Sequence, residues 1–172
     1  MADGKIIAIS ISEKKGQKKH NIESANLIVD HGMEGDAHAG KWHRQVSFLA
    51  EASLAKARDM GLEVGPGDFA ENFTTEGIDL LDLPLGTQLR LGKDVLVEIS
   101  QIGKVCHTRC AIYHLAGDCI FPREGIFGVV VHGGVVSAGD AIEVVRRGDG
   151  TCTHTPPEAL AEVEAARKAG TL

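Results

Sequence analysis

A chain of 172 residues with 43% hydrophobic residues, 24% charged residues and five prolines has the size and balance of one globular domain with its own core, which excludes disordered and collagen-like architectures. Glycine is abundant at 21 residues, and Phe, Trp and Tyr number five, one and one, so tight turns are expected around a core of Val, Ile, Leu and Ala. The net charge of −6 argues against nucleic acid or an anionic membrane as the main partner, so an anionic ligand must find local cations.

The opening residues run straight into a β-like segment without the apolar stretch of a signal peptide, and no apolar run approaches the ~18 residues of a membrane span. The cytoplasm is the expected compartment. Lys5 to Ile11 has the dense Ile content and alternation of a buried strand. Lys14-Lys15-Gly16-Gln17-Lys18-Lys19 then reads as a solvated hairpin tip, with an anion-binding loop as the alternative. Gln45 to Ala50 is a strand and Glu51 to Met60 a short helix stopped by Gly61. Thr87 to Leu91 and Val95 to Ser100 alternate as strands about the turn Gly92-Lys93-Asp94. Phe127 to Val131 and Ala141 to Val145 are two further strands joined by glycine turns. Thr155-Pro156-Pro157-Glu158 has the form of a capping box opening a surface helix to about Ala169. Short strands, glycine turns and few helices predict a mainly β fold closed or nearly closed into a barrel, since closure removes exposed edges.

Three segments concentrate chemistry. In Gly32 to Gln45, three glycines allow close backbone approach, and His38, Lys41, His43 and Arg44 supply cations or hydrogen bonds. Two readings fit: an anion-holding loop, or a surface loop whose Asp36 caps its own backbone. Trp42 reads as a packing residue. In Gly65 to Gly77, Asn72 offers both a donor and an acceptor suited to a heterocycle edge, beside the polar pair Thr74-Thr75; a strand with one polar face is the alternative. The third segment places Cys106, His107, Arg109, Cys110 and Cys119 directly after a strong strand. Positive neighbours favour thiolate, the form that attacks sulfur or binds soft metal, while a zinc site from Cys106, His107, Cys110 and Cys119 competes as an explanation. Cys152 sits apart in a Thr-rich tail.

Taken in order, Glu34 to Gly40 with Arg44-Gln45-Val46-Ser47, Gly67 to Leu80, and Cys106-His107-Thr108-Arg109-Cys110 leading to Arg123-Glu124-Gly125-Ile126-Phe127 resemble a MOSC domain. This module is named after the C-terminal part of molybdenum cofactor sulfurases. The likeness runs from Lys5 to Arg146, and the subtype resembles small stand-alone bacterial members. It implies a pyruvate-kinase barrel-like fold, with residues 1–150 as the domain and 151–172 as a C-terminal extension.

The resemblance also implies molybdenum cofactor (molybdopterin) binding and a sulfur-carrier role. Cys110 would hold a persulfide or ligate molybdenum, with Arg109 and His107 beside it as catalytic groups. Asp36, His38, Lys41, Arg44, Asn72, Thr74 and Arg123 would hold the cofactor, and Cys106 and Cys119 could join Cys110 as soft-metal ligands. Pyridoxal phosphate would enter only through a partner cysteine desulfurase. A molybdoenzyme or a cofactor-biosynthesis protein would be the other partner. Ala70 departs from the amidoxime-reducing members, which place an Arg near that position. The other functional readings are a non-catalytic cofactor carrier or store, a molybdenum-dependent reductase of N-hydroxylated compounds, and a zinc-stabilised interaction module.

Overall fold

The computed structural model describes residues 3–106 and 119–172. The buried alternation expected near the start becomes β1 (Gly4–Ile11), followed by the short strands β2 (His20–Ile22), β3 (Ser24–Ile28) and β4 (Gly32–Met33). Next come β5 (Val46–Ala50), α1 (Glu51–Asp59), β6 (Phe73–Glu76), β7 (Gln88–Leu91) and β8 (Val95–Ile102). After them lie α2 (Phe121–Glu124), β9 (Ile126–His132), β10 (Gly134–Ser137), β11 (Ala141–Arg146) and α3 (Pro157–Lys168).

Strands β11, β7, β8, β9, β5, β6 and β1 are hydrogen-bonded in that order, and β11 returns to β1, closing a seven-strand barrel to which β2 is appended. The expected mainly β barrel with few short helices is therefore the observed fold. Every pairing in the ring is antiparallel except β5 with β6, which α1 connects as a crossover. Strands β10, β3 and β4 form a separate small sheet.

Strand β5 is buried on both faces, which explains its nearly continuous apolar sequence. Val46 and Phe48 point into the barrel, where Phe48 stacks on Phe73 with ring centroids 5.1 Å apart. Leu49 faces outward into a second core beneath α1 formed with Leu54, Ala57, Phe69, Phe121 and Phe127. Gly61 ends the turn after α1 at φ +93°, a conformation that favours glycine.

The C-terminal helix forms over nearly its expected span, but its start departs from the expected capping box. Thr155 does not cap α3, because its hydroxyl donates to the Ser100 carbonyl at 2.6 Å and Pro156 occupies the N-cap without a side-chain bond. Val163 is buried, and Arg167 donates to the Ile102 carbonyl at 2.7 Å, so the helix packs across the end of β8. Cys152 is also buried, its thiol 3.3 Å from Glu98 Oε1. No helix among the described residues is long and apolar enough to cross a membrane.

Candidate functional site

Beyond the end of β8, two backbone hydrogen bonds tie the residues that follow it to α2 and its end, forming a neck: Gly103 N–H to the Gly125 carbonyl at 2.7 Å and Lys104 N–H to the Pro122 carbonyl at 2.9 Å. Lys104 and Phe121, at the neck, line a cavity of about 240 Å³ with Ser47, Asn72, His38, Arg44 and other residues of three loops. Ser47 and Phe127, paired across β5 and β9, contribute strand residues to its wall.

Arg44, Lys15 and Lys104 give the cavity a cationic lining in a chain of net negative charge. The Arg44 guanidinium lies 4.7 Å from the Trp42 ring centroid and 5.5 Å from that of Phe127, and Lys15 Nζ lies 5.3 Å from Trp42. These are cation–π distances. Arg44 Nε is buried and has no hydrogen-bond partner among the described residues. Burial lowers the Arg44 pKa, opposed by the charges of Glu162 on α3 and Cys106. An arginine starts so high that the group stays charged. An unpaired buried donor beside two further cations is a place for an anion.

Beneath this lining runs a buried polar network. Lys19 Nζ donates to Asp36 Oδ1 at 2.7 Å, lies 2.9 Å from His38 Nδ1 and reaches Ser12 Oγ at 3.2 Å. Both side chains of the Lys19–Asp36 pair are fully buried. Burial alone would raise the Asp36 pKa, but the Lys19 hydrogen bond and charge, with the Ser12 and His38 backbone N–H groups, outweigh it and hold the carboxyl below the ordinary range. For His38, burial first and then the charge of Lys19 lower the pKa to about 4. The ring is therefore neutral at physiological pH.

A single carboxylate fastens the loop that carries Phe69, Ala70 and Asn72. Glu71, fully buried, accepts from Gly67 N–H at 2.6 Å, Thr74 Oγ1 at 3.1 Å and Phe69 N–H at 3.2 Å. Ala70 is held at φ +64°, a strained conformation at a residue lining the cavity. Gly67, at φ +92°, passes so close to the Lys19 backbone that a Cβ would sit 2.4 Å from the carbonyl oxygen. Gly67→Ala is accordingly expected to destabilise the fold by about 2–4 kcal/mol from backbone strain and overpacking, read as a lower denaturant midpoint.

The structure brings together some of the residues singled out from sequence. His38, Arg44 and Asn72 line the cavity, with Asp36 buried behind His38 as the counter-ion of Lys19. Asn72 Oδ1 accepts from Ser47 N–H at 3.0 Å and its Nδ2 donates to the Ser10 carbonyl at 3.2 Å, so the barrel itself engages both ends of the amide. Thr74 is buried on β6 and bonded to Glu71, away from the cavity lining. Lys41 and Arg123 are exposed and do not line the cavity. Cys106 is an exposed free thiol at the neck, and Cys119 is buried. Cys110, Arg109 and His107 lie outside the described residues. No group of three metal-ligating side chains occurs among the described residues.

Sequence reasoning missed Lys19, Glu71, Lys15 and the aromatic residues Phe69, Phe121 and Phe127 as parts of the site. The Lys14 to Lys19 run is solvated only in part, since Lys15 faces the cavity and Lys19 is buried. Trp42 is half-buried and is a platform for two cations as well as a packing residue.

Comparison with known proteins adds the following. The family model of the MOSC domain matches residues 35–143. Among solved structures, YiiM from Geobacillus stearothermophilus is similar with a TM-score of 0.70 at 17% identity, covering 94% of this chain and 98% of that one. YiiM from Escherichia coli gives 0.64 at 19%, covering 96% and 94%. The YuaD protein from Bacillus subtilis gives 0.67 at 19%, covering 81% and 93%. At these identities the structures speak for the fold alone. No curated protein matches the chain.

Proposed function

The chain belongs to the MOSC domain family, a family associated with molybdenum cofactor binding and sulfurase-type function, and on that premise we propose that its cavity binds the molybdenum cofactor and that Cys110 delivers sulfur to it. The observation that carries the reading is the buried Nε of Arg44, unpartnered among the described residues, within a cationic and aromatic cavity whose lining includes Lys104 and Phe121.

The residues present fit an anionic ligand with a planar heterocycle. Arg44, Lys15 and Lys104 would pair with its phosphate, and Trp42, Phe69 and Phe121 would flank apolar ring surface. The volume of about 240 Å³ falls below the ~300 Å³ at which ligand pockets ordinarily begin, so part of the ligand would lie outside the enclosed space. Bound there, the cofactor would supply a molybdenum centre able to accept a sulfur ligand. Lys41 and Arg123, both exposed, would serve an outer contact or a protein partner.

The chain's own chemistry would be thiol exchange. Cys110 thiolate attacks the outer sulfur of a persulfide on a partner cysteine desulfurase, the only place where pyridoxal phosphate would enter. A new S–S bond forms on Cys110 as the donor's S–S bond breaks, and the donor cysteine leaves as thiolate, so the exchange is redox-neutral. Arg109 and His107, adjacent in sequence, would favour the attacking thiolate. Cys106 and Cys119 flank Cys110 in sequence and are the chain's other candidates for a soft-metal ligand. Passing the sulfur on as sulfide takes two electrons, which a second thiol such as Cys106 would supply: it attacks the inner sulfur of the Cys110 persulfide, a Cys106–Cys110 disulfide forms as the bond to the outer sulfur breaks, and hydrosulfide leaves for the cofactor.

Incubating the protein with a cysteine desulfurase and cysteine, then measuring intact mass, tests the relay. One added sulfur is expected on the wild type and none at that position on Cys110→Ala. Cofactor retention without any added sulfur would overturn the relay in favour of a non-catalytic carrier. The recipient would be a molybdoenzyme or a cofactor-biosynthesis protein.

A further inference from the structure

We propose that Lys19 is a positioning residue that fixes His38 as a neutral imidazole carrying its proton on Nε2, so that the cavity wall offers the ligand a hydrogen-bond donor in place of a base or a cation. The inference rests on the functional reading above only in taking the same cavity as the ligand site. Its first support is a count of protons. An ammonium group has three N–H donors and no lone pair, and Lys19 Nζ has three acceptors in reach: Asp36 Oδ1, His38 Nδ1 and Ser12 Oγ. The Ser12 hydroxyl donates its own proton to the Lys14 carbonyl at 3.1 Å, which leaves its lone pair for Lys19. His38 Nδ1 must therefore accept, and the proton of the neutral ring belongs on Nε2.

The charges around the ring point the same way. A protonated His38 would set an N–H of the imidazolium against the lysine ammonium at 2.9 Å. Lys15 and Lys104, both lining the cavity, also oppose a positive ring. Asp36 is the group that favours it, but its Oδ2 lies 3.9 Å from Nδ1 and accepts the His38 backbone N–H at 3.1 Å. Burial adds to the cost of a charged ring.

Nε2 has no partner among the hydrogen bonds of the described residues, and its side chain lines the cavity. A donor so placed suits an acceptor atom: an oxo, carbonyl or phosphoryl oxygen. It would stay in the same state across the physiological pH range, because neither proton position changes until the ring titrates. The side chain would then have no lone pair available toward the ligand, which excludes His38 as a general base.

Long-range proton–nitrogen NMR of ¹⁵N-histidine-labelled, ligand-free protein tests this directly, with His38→Gln used to assign the signals. The wild type should show a protonated Nε2 and an unprotonated, hydrogen-bonded Nδ1 from neutral pH down to about 4. A proton on Nδ1, or titration near the ordinary 6.5, overturns the proposal. In Lys19→Met the ring should mix tautomers and titrate upward toward 6.5, and a folded variant that keeps the wild-type signature would deny Lys19 its role. If that variant fails to fold around an unpaired Asp36, the double variant Lys19→Met with Asp36→Leu removes both charges and should also lose the single tautomer. Because no ligand is present, these results stand whether or not the cavity binds the cofactor.

Discussion

Glu71→Ala is expected to cost about 3–5 kcal/mol of stability, because it orphans three donors in a buried site: the N–H groups of Gly67 and Phe69 and the hydroxyl of Thr74. For a domain of this size that corresponds to a fall in Tm of roughly 10–15 °C in a thermal melt. Hydrogen exchange at the Gly67 and Phe69 amides should accelerate more than exchange in β8, since the loop loses its fastening while the barrel keeps its ladder. Glu71→Gln retains the volume and one acceptor and should fall between. Burial raises the Glu71 pKa in the folded protein, so the native state holds that proton more tightly than the unfolded chain. The carboxyl's contribution therefore declines as pH rises from the ordinary glutamate range through the folded value, and Glu71→Gln should remove that slope.

Arg44→Leu should have the largest effect on binding with little on folding. A charge-assisted hydrogen bond in a partly buried site contributes about 2–3 kcal/mol, so affinity for an anionic ligand should drop by roughly 30- to 150-fold. Trp42, the single tryptophan, lies 4.7 Å from the guanidinium and lines the cavity, so its fluorescence reports both binding and the loss of the cation. Titration with inorganic phosphate under matched ionic strength provides the measurement. Arg44→Lys keeps the charge without the guanidinium's contacts to the Trp42 and Phe127 rings, and it should recover only part of the affinity. An affinity unchanged in Arg44→Leu would remove the anion-binding role.

Much of the barrel was legible because its longer strands alternate or are apolar on both faces. The β1, β5, β7, β8, β9 and β11 segments were readable for that reason, and the α1 stop at Gly61 follows from local conformation. Strand β3 carries a weaker form of the signal, with Ala25 and Leu27 buried between exposed neighbours, but it spans only Ser24–Ile28. Strands β2 and β4 are two or three residues long and owe their conformation to what they pair with.

The site was legible by segment more than by residue. Arg44 and His38 stand out by type in a glycine-rich loop, whereas Lys19 looks like any member of a basic run. Its burial depends on Asp36, seventeen residues away, which a local pattern does not encode. The sequence offers Asp36 as a cofactor contact or as a cap of its own backbone; in the fold it accepts the His38 backbone N–H and pairs with the buried Lys19, a partner that no local pattern names. Thr155 fails as a cap for a comparable reason: the Ser100 carbonyl, distant in sequence, competes for its hydroxyl. Such partnerships arise from topology.

The ring of strands also has a temporal consequence. Its last seam joins Gly4 and Lys5 to Ile142 and Ala141, residues far apart in the order of synthesis. At ordinary translation rates β1 must wait on the order of ten seconds before that partner emerges, with one edge open meanwhile. A ribosome stalled before Ala141 would hold an unsealed sheet, the form most prone to pair with a neighbouring nascent chain.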